Sequence, residues 1–288
     1  MCVYEILTKK NIIYFQVLNS LRLNFNKYNE DFFYPYNAKN IIGKIQLRKN
    51  VCMLKKNNKY IGYIWNTREG NSLYYINSIN LIEEECNVSN IITLLRIFSA
   101  NDKVYLMCSD NGHNVKLLEK VGFKKKSGTL KMERDLTFYR KSFLPKEVRF
   151  KVFQRGKDEE IRCFIQNEVF KNQSRKPLTV KDIVYDQYQE YYFPEGAIFI
   201  MVNGVYIGYG QIIIYNSTPL IVNVGILKEY RHKGYGEILI NYLLDIIADY
   251  KFTKAVIKVD WNNETAFNLY RKCGFEVIEE DYKMEVII

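Results

Sequence analysis

The stretch Val222-Asn223-Val224-Gly225-Ile226-Leu227-Lys228-Glu229-Tyr230-Arg231-His232-Lys233-Gly234-Tyr235-Gly236 runs from an apolar strand into a long apolar helix. A strand-to-helix turn carrying Arg-x-x-Gly-x-Gly has two positions without side chains, so its backbone can close tightly around a diphosphate. The free N–H groups of the helix start and the helix dipole then face the anion. Arg231, His232 and Lys233 add positive charge at the same place. The same spacing also describes a plain glycine turn entering a core helix, so the flanking sequence has to decide.

Working outward, alternation and breaker residues predict strand 148–153, helices 157–171 and 179–190, and strands 197–202, 205–215 and 220–227. Helix 235–249, strand 254–260, helix 263–272 and strand 275–287 follow. This is an α/β pattern with a central mixed, mostly antiparallel sheet flanked by helices. On the last predicted helix stands Asn263-x-x-Ala266-x-x-Leu269-Tyr270-x-x-x-Gly274-Phe275. Ala266 and Tyr270 lie one turn apart on one face, the small Ala leaving room for a thin ligand. A phenol of pKa about 10 can donate a proton or a hydrogen bond to a leaving group held against it. Core packing is the competing reading of Tyr270, natural among 24 tyrosines.

The chain also repeats itself. Tyr60-Ile61-Gly62-Tyr63 returns as Tyr206-Ile207-Gly208-Tyr209, and Val104–Glu133 aligns without gaps on Val256–Glu285 with nine identities. Those include Lys131-Met132-Glu133 against Lys283-Met284-Glu285. Two tandem lobes of one topology are therefore expected, 1–140 and 146–288, with Pro145 punctuating the junction.

The two motifs of the second lobe resemble the GNAT superfamily of acyl-CoA-dependent N-acyltransferases, over about residues 148–287. The resemblance implies acetyl-CoA as co-substrate and transfer to a primary amine, on a small molecule or a peptide. It implies that the strand before the glycine loop parts from its neighbour and pairs through Gly225 and Ile226 with the pantetheine arm. Arg231, His232, Lys233, Gly234, Tyr235 and Gly236 are then expected to hold the pyrophosphate, Asn263 to contact pantetheine, and Tyr270 to act as general acid. Relatives often carry a carboxylate base on the pantetheine-binding strand, and 220–227 has none, which leaves water, Glu195 and Asp260 open. Trp261 and the aromatics Tyr185, Tyr188, Tyr191, Tyr192 and Phe193 are candidates to line the acceptor pocket, with packing as the alternative.

The first lobe keeps the scaffold and lacks the site. Glu83-Glu84-Glu85 replaces the glycine loop, where carboxylates repel a pyrophosphate, and Asn114 and Leu118 stand in place of Ala266 and Tyr270. This degenerate lobe is expected not to bind CoA. Residues 1–144 hold 23 Lys/Arg against 12 Asp/Glu, while 145–288 hold 19 against 20. A rival expectation follows, in which a basic first lobe docks RNA or an acidic protein and the second modifies that partner or only senses acetyl-CoA. Two histidines and six cysteines at least 22 residues apart exclude a multi-histidine metal site, a zinc ribbon and an ordinary Ser-His-Asp triad. No metal is expected. The longest apolar run, Ala197–Val202, is far below the roughly 20 residues of a membrane span, and no secretory signal is read, so a cytoplasmic protein is expected.

Overall fold

A computed structural model describes residues 2–141, 143–171 and 176–288. In chain order its elements are β1 (Cys2–Ile6), α1 (Ile12–Ser20), α2 (Phe33–Ala38), α3 (Ile41–Lys49), β2 (Val51–Lys56), β3 (Lys59–Gly70) and β4 (Leu73–Leu81). Then come α4 (Val88–Leu95), β5 (Lys103–Ser109), α5 (Asn114–Lys120), β6 (Lys124–Asp135), β7 (Val148–Val152), α6 (Glu159–Val169) and α7 (Val180–Asp186). The chain ends with β8 (Tyr192–Val202), β9 (Val205–Tyr215), β10 (Thr218–Ile226), α8 (Tyr235–Asp249), β11 (Lys254–Asp260), α9 (Glu264–Lys272) and β12 (Glu276–Ile287). The mixed α/β class is as the sequence predicts. The second predicted helix is shorter, ending at Asp186, because Tyr192 and Phe193 already belong to β8.

Two compact units form, Met1–Thr129 with Glu279–Ile288, and Leu130–Ile278. This corrects the expected division into 1–140 and 146–288. By the repeat β6 and β12 are counterparts, yet each passes part of its length to the other unit. In the first unit the strand order is β1-β2-β3-β4-β5-β12, and Asp281–Ile287 pairs antiparallel with Lys103–Ser109 along its whole length. In the second the order is β6-β11-β10-β9-β8-β7. There the N–H of Leu136, just past β6, donates to the Thr253 carbonyl (2.7 Å), and Glu133 pairs with Lys254 (3.0 Å).

The exchange also changes the electrostatics. With the acidic segment Glu279, Glu280, Asp281 and Glu285 in place, the first unit holds 20 Lys/Arg against 14 Asp/Glu and the second 22 against 18. Net charges are thus +6 and +4 rather than the +11 and −1 of the sequence halves. Lys27, Lys103 and Lys126 of the first unit are paired to carboxylates of this returning strand.

The hairpins β2–β3 and β8–β9 turn on Asn57-Asn58 and Asn203-Gly204, all four at positive φ, the primed turn that matches strand twist. The first unit's core gathers Phe15, Leu18, Phe32, Tyr36, Met53, Tyr63 and Trp65, and the second unit's Phe153, Ile165, Ile183, Phe199 and Tyr209. Helix α8 covers the second sheet with Leu239, Ile240, Leu243, Leu244 and Ile247, all buried. Among the described residues, no helix is long and apolar enough to cross a membrane.

Truncation after Ile278 removes buried Tyr282, Met284 and Val286 and bares the edge of β5. At ~1.5–3 kcal/mol for each side chain, the first unit should lose roughly 15–40 °C in Tm. Hydrogen exchange should quicken at residues 103–109 while α8 stays protected.

Candidate active site

The site begins where two parallel strands part. β10 pairs with β11 at Leu220↔Val256 and Ile221↔Ile257, yet β10 runs on to Ile226 and β11 to Asp260. A register shift against β9 between Val222 and Gly225 puts an extra residue into β10, with Asn223 at φ 55°. Such a bulge bends the strand and increases its twist, which opens the pair. Beyond it, the N–H of Leu227 donates to the Ile207 carbonyl (2.8 Å), and Gly225 lies opposite Tyr209. Antiparallel alternation then turns the peptide groups of Gly225 toward β9 and those of Ile226 toward the opening.

Gly225 matters through its missing side chain, since a Cβ there would lie 2.0 Å from Val169 Cγ1 on α6. Gly208 is fixed in turn, its Cβ position lying 2.5 Å from the Gly225 oxygen.

The opening leads to the glycine loop. Arg231 folds back, its Nε donating to the Ile226 carbonyl (2.9 Å) and a terminal nitrogen to the Val169 carbonyl (3.3 Å). It therefore braces the loop against β10 and α6. His232 and Lys233 are exposed, His232 at φ 61°, and Lys233 Nζ donates to the Glu229 carbonyl (3.2 Å). Gly234 precedes the 15-residue α8 at φ 83°, faces open space, and offers the helix no side-chain cap. The N–H groups at Tyr235 and Gly236 thus begin α8 without a capping side chain, the arrangement that suits an anion. A Cβ on Gly236 would come within 3.1 Å of Leu269 on α9, so this glycine lets the two helices approach.

Asn263 caps α9, its Oδ1 accepting from the Ala266 N–H (3.1 Å), which leaves its Nδ2 to donate elsewhere. Tyr270 is buried on the same helix, with Phe275 6.3 Å away ring to ring. Burial, reinforced by the Cys273 thiol, pushes its phenol up to about 12. Asp260 is exposed at the end of β11 and holds the following turn, its carbonyl accepting from Asn263 N–H (2.9 Å). Glu195 is exposed on β8.

One cluster escaped the sequence reading. Arg162, 1% exposed on α6, donates to Asp186 (2.5 Å) and Gln211 (2.9 Å). Gln211 donates to Asp186 (3.2 Å) and accepts from Asn223 at the bulge (3.2 Å), while the Tyr191 hydroxyl donates to Asp186 (2.9 Å). The bulge is thus anchored by a buried polar network, and the signal for it was Gln211 alone within the apolar run Ile207–Ile214. Of the aromatic stretch, Tyr185 and Tyr188 stand in solvent, whereas Tyr191, Tyr192 and Phe193 are half-buried.

Residues 160–275, all within the second unit, match the family model described as Acetyltransferase (GNAT) family. This segment is a GNAT domain. A curated relative, N-alpha-acetyltransferase 50 of Danio rerio, is 38% identical over 60 residues, which is 20% of this chain and 36% of that protein. Among solved structures, a GCN5-related N-acetyltransferase from Sphaerobacter thermophilus matches with a TM-score of 0.57 at 13% identity, covering 99% of this chain and 95% of its own. An acetyltransferase of the GNAT family from Colwellia psychrerythraea gives 0.52 at 11% identity, covering 99% of both chains. At these identities the structural likeness shows the fold.

The first unit parts at the corresponding place. β4 pairs with β5 at Leu73–Tyr75 against Lys103–Tyr105, and both strands continue past that point. Where the GNAT domain has its glycine loop, this unit has Glu83–Glu85 as a short 3-10 turn, with Glu85 tied to Lys56 (2.6 Å). A cleft of about 750 Å³ elsewhere in this unit lies along α3. A second, of about 1060 Å³, lies at the Glu83–Glu85 turn itself, between the end of β4 and α5, and is lined by Phe25, Leu81, Glu83, Glu84, Asn111 and Asn114 among others. Leu118, in the place of Tyr270, is buried and carries no hydroxyl.

Two substitutions separate backbone from contact roles. Gly234→Ala should cost about 1–2 kcal/mol of stability, since its positive φ is left-handed and no clash contributes. Asn263→Ala should cost about 1 kcal/mol as a lost cap. Urea unfolding measures both.

Proposed function

We propose that this protein is an acetyl-CoA-dependent N-acetyltransferase whose second unit transfers the acetyl group to a primary amine. The observation that carries this reading is the opening between β10 and β11, which ends at the uncapped, glycine-started N-terminus of α8 beside the Tyr270 helix. Acetyl-CoA supplies a thioester as acyl donor. Its pantetheine amides fit the N–H of Ile226, whose carbonyl Arg231 already takes, and its pyrophosphate fits the loop Arg231–Gly236, where His232 and Lys233 carry exposed side chains. Asn263 keeps Nδ2 as a donor for pantetheine.

In the reaction the amine nitrogen attacks the thioester carbonyl carbon, the new C–N bond forms, the C–S bond breaks and sulfur departs as thiolate. The nitrogen's extra proton leaves to water or to one of the carboxylates Asp186, Glu195 and Asp260. Tyr270 is the group assigned to the departing sulfur. With its phenol near 12, it is a weaker acid than a thiol of about 8.5, so its main contribution is a hydrogen bond to the developing thiolate rather than early proton transfer. It stays protonated throughout the neutral range.

A hydrogen bond to a charged group is worth ~1.5–3 kcal/mol, so Tyr270→Phe should lower kcat about 10- to 100-fold with the Kd for acetyl-CoA unchanged. Thiol release with a panel of amines measures it, and normal turnover in the variant makes Tyr270 a packing residue. Calorimetry should give one acetyl-CoA per chain. Two equal sites would contradict assignment of the donor to the second unit alone.

A further inference from the structure

We propose that the slot of the first unit is filled by the chain itself: residues 24–30 sit in the opening between β4 and β5 and take the backbone partners that a pantetheine arm would otherwise use. This rests on the reading of the matching opening in the second unit as a donor slot.

Asn26 grips β5. Its Nδ2 donates to the Met107 carbonyl (2.7 Å), and its Oδ1 accepts from the Ser109 N–H (3.1 Å). Asn29 grips β4 in the same manner, with Nδ2 donating to the Ile79 carbonyl (2.8 Å) and Oδ1 accepting from the Ile79 N–H (3.1 Å). A carboxamide offers one donor and one acceptor side by side, as a peptide group does, so each asparagine replaces one rung of a missing strand. Next to them the Glu30 N–H donates to the Asn77 carbonyl (2.9 Å), and Asn77 Nδ2 returns a bond to Glu30 (3.2 Å).

The place matches by register. Leu81 pairs with Gly62 as Ile226 pairs with Gly208, and Ile79 stands two residues before Leu81 on the same edge of β4. Helix α5 closes the other side. Asn111 Nδ2 donates to the carbonyls of Asn24 (3.4 Å) and Phe25 (3.3 Å), and Asn114 Nδ2 donates to the Phe25 carbonyl (2.7 Å). Asn114 occupies the position of Ala266, so the residue that leaves room in the second unit holds the occupant in the first. Phe25 is buried beneath it.

Occupancy and charge exclude different molecules. Glu83–Glu85 disfavours the phosphates of CoA, whereas pantetheine carries no phosphate and is kept out only by a filled slot. The test is residue-resolved hydrogen exchange on the full chain, with and without millimolar pantetheine, and separately with saturating acetyl-CoA.

The expected result is slow exchange at Ile79 and Ser109, unchanged by either compound. Both amides should exchange at least ~10-fold faster in the double variant Asn26→Ala, Asn29→Ala, as the acceptor atoms are lost. Fast exchange at these amides in the unmodified chain, or a change of more than ~3-fold on adding pantetheine, would overturn the proposal. Should the variant not fold, the unmodified chain with pantetheine still decides. Acetyl-CoA-dependent protection at Ile226–Glu237 in the same spectra reports on the second unit alone, so failure of the donor-site reading is seen separately.

Discussion

When two paired strands separate, each peptide group on the parted edge loses its partner, and a buried group left so costs about 1–3 kcal/mol. The two units differ in how that deficit is met. In the second unit the parting begins at the Asn223 bulge and continues to the end of β10. One carbonyl on the parted edge, that of Ile226, is answered by Arg231, and the rest of the edge leads to a helix start with free N–H groups. In the first unit asparagine side chains answer the same kind of edge from within. The same backbone edge is thereby left largely unpaired in one unit and answered by the chain's own side chains in the other.

Holding strands apart requires close packing behind them. Val169 presses on Gly225 and the Gly225 oxygen on Gly208, so neither position admits a side chain. The network from Arg162 through Gln211 to Asn223 fixes the bulge from the same side, in a region where unpaired polar atoms are costly. Tyr270 lies in surroundings that keep its phenol neutral. Apolar packing and polar anchoring thus perform one task, the fixing of a backbone edge that the sheet itself leaves unpaired.

The exchange of strands between the units has its origin in the repeat. β6 and β12 share Lys-Met-Glu in register and both alternate buried with half-buried positions near that motif. Backbone ladders do not distinguish sequences, so two near-equivalent strands can serve either sheet. The returning strand brings carboxylates to the lysines of the first unit, and the strongly basic half seen in the sequence becomes a moderately charged unit.

The sequence alone determined the α/β class, nearly every element of the second unit, and the loop Arg231–Gly236 with Asn263 and Tyr270 one helix further on. These are local matters: periodicity, turn residues and motif spacing are written in neighbouring residues. It also revealed the repeat and the loss of the glycine loop at Glu83–Glu85. Only the tertiary structure decided that Gly225 acts by yielding space to Val169, and that Asn263 spends its oxygen on a cap. It alone brought Arg162, Asp186 and Gln211 together from three elements, and placed Asn26 and Asn29 against strands some 80 and 50 residues away. It alone gave the last strand to the first unit. Each of these depends on which of several equivalent backbone edges a distant segment meets, and the period of a strand carries no label for its partner.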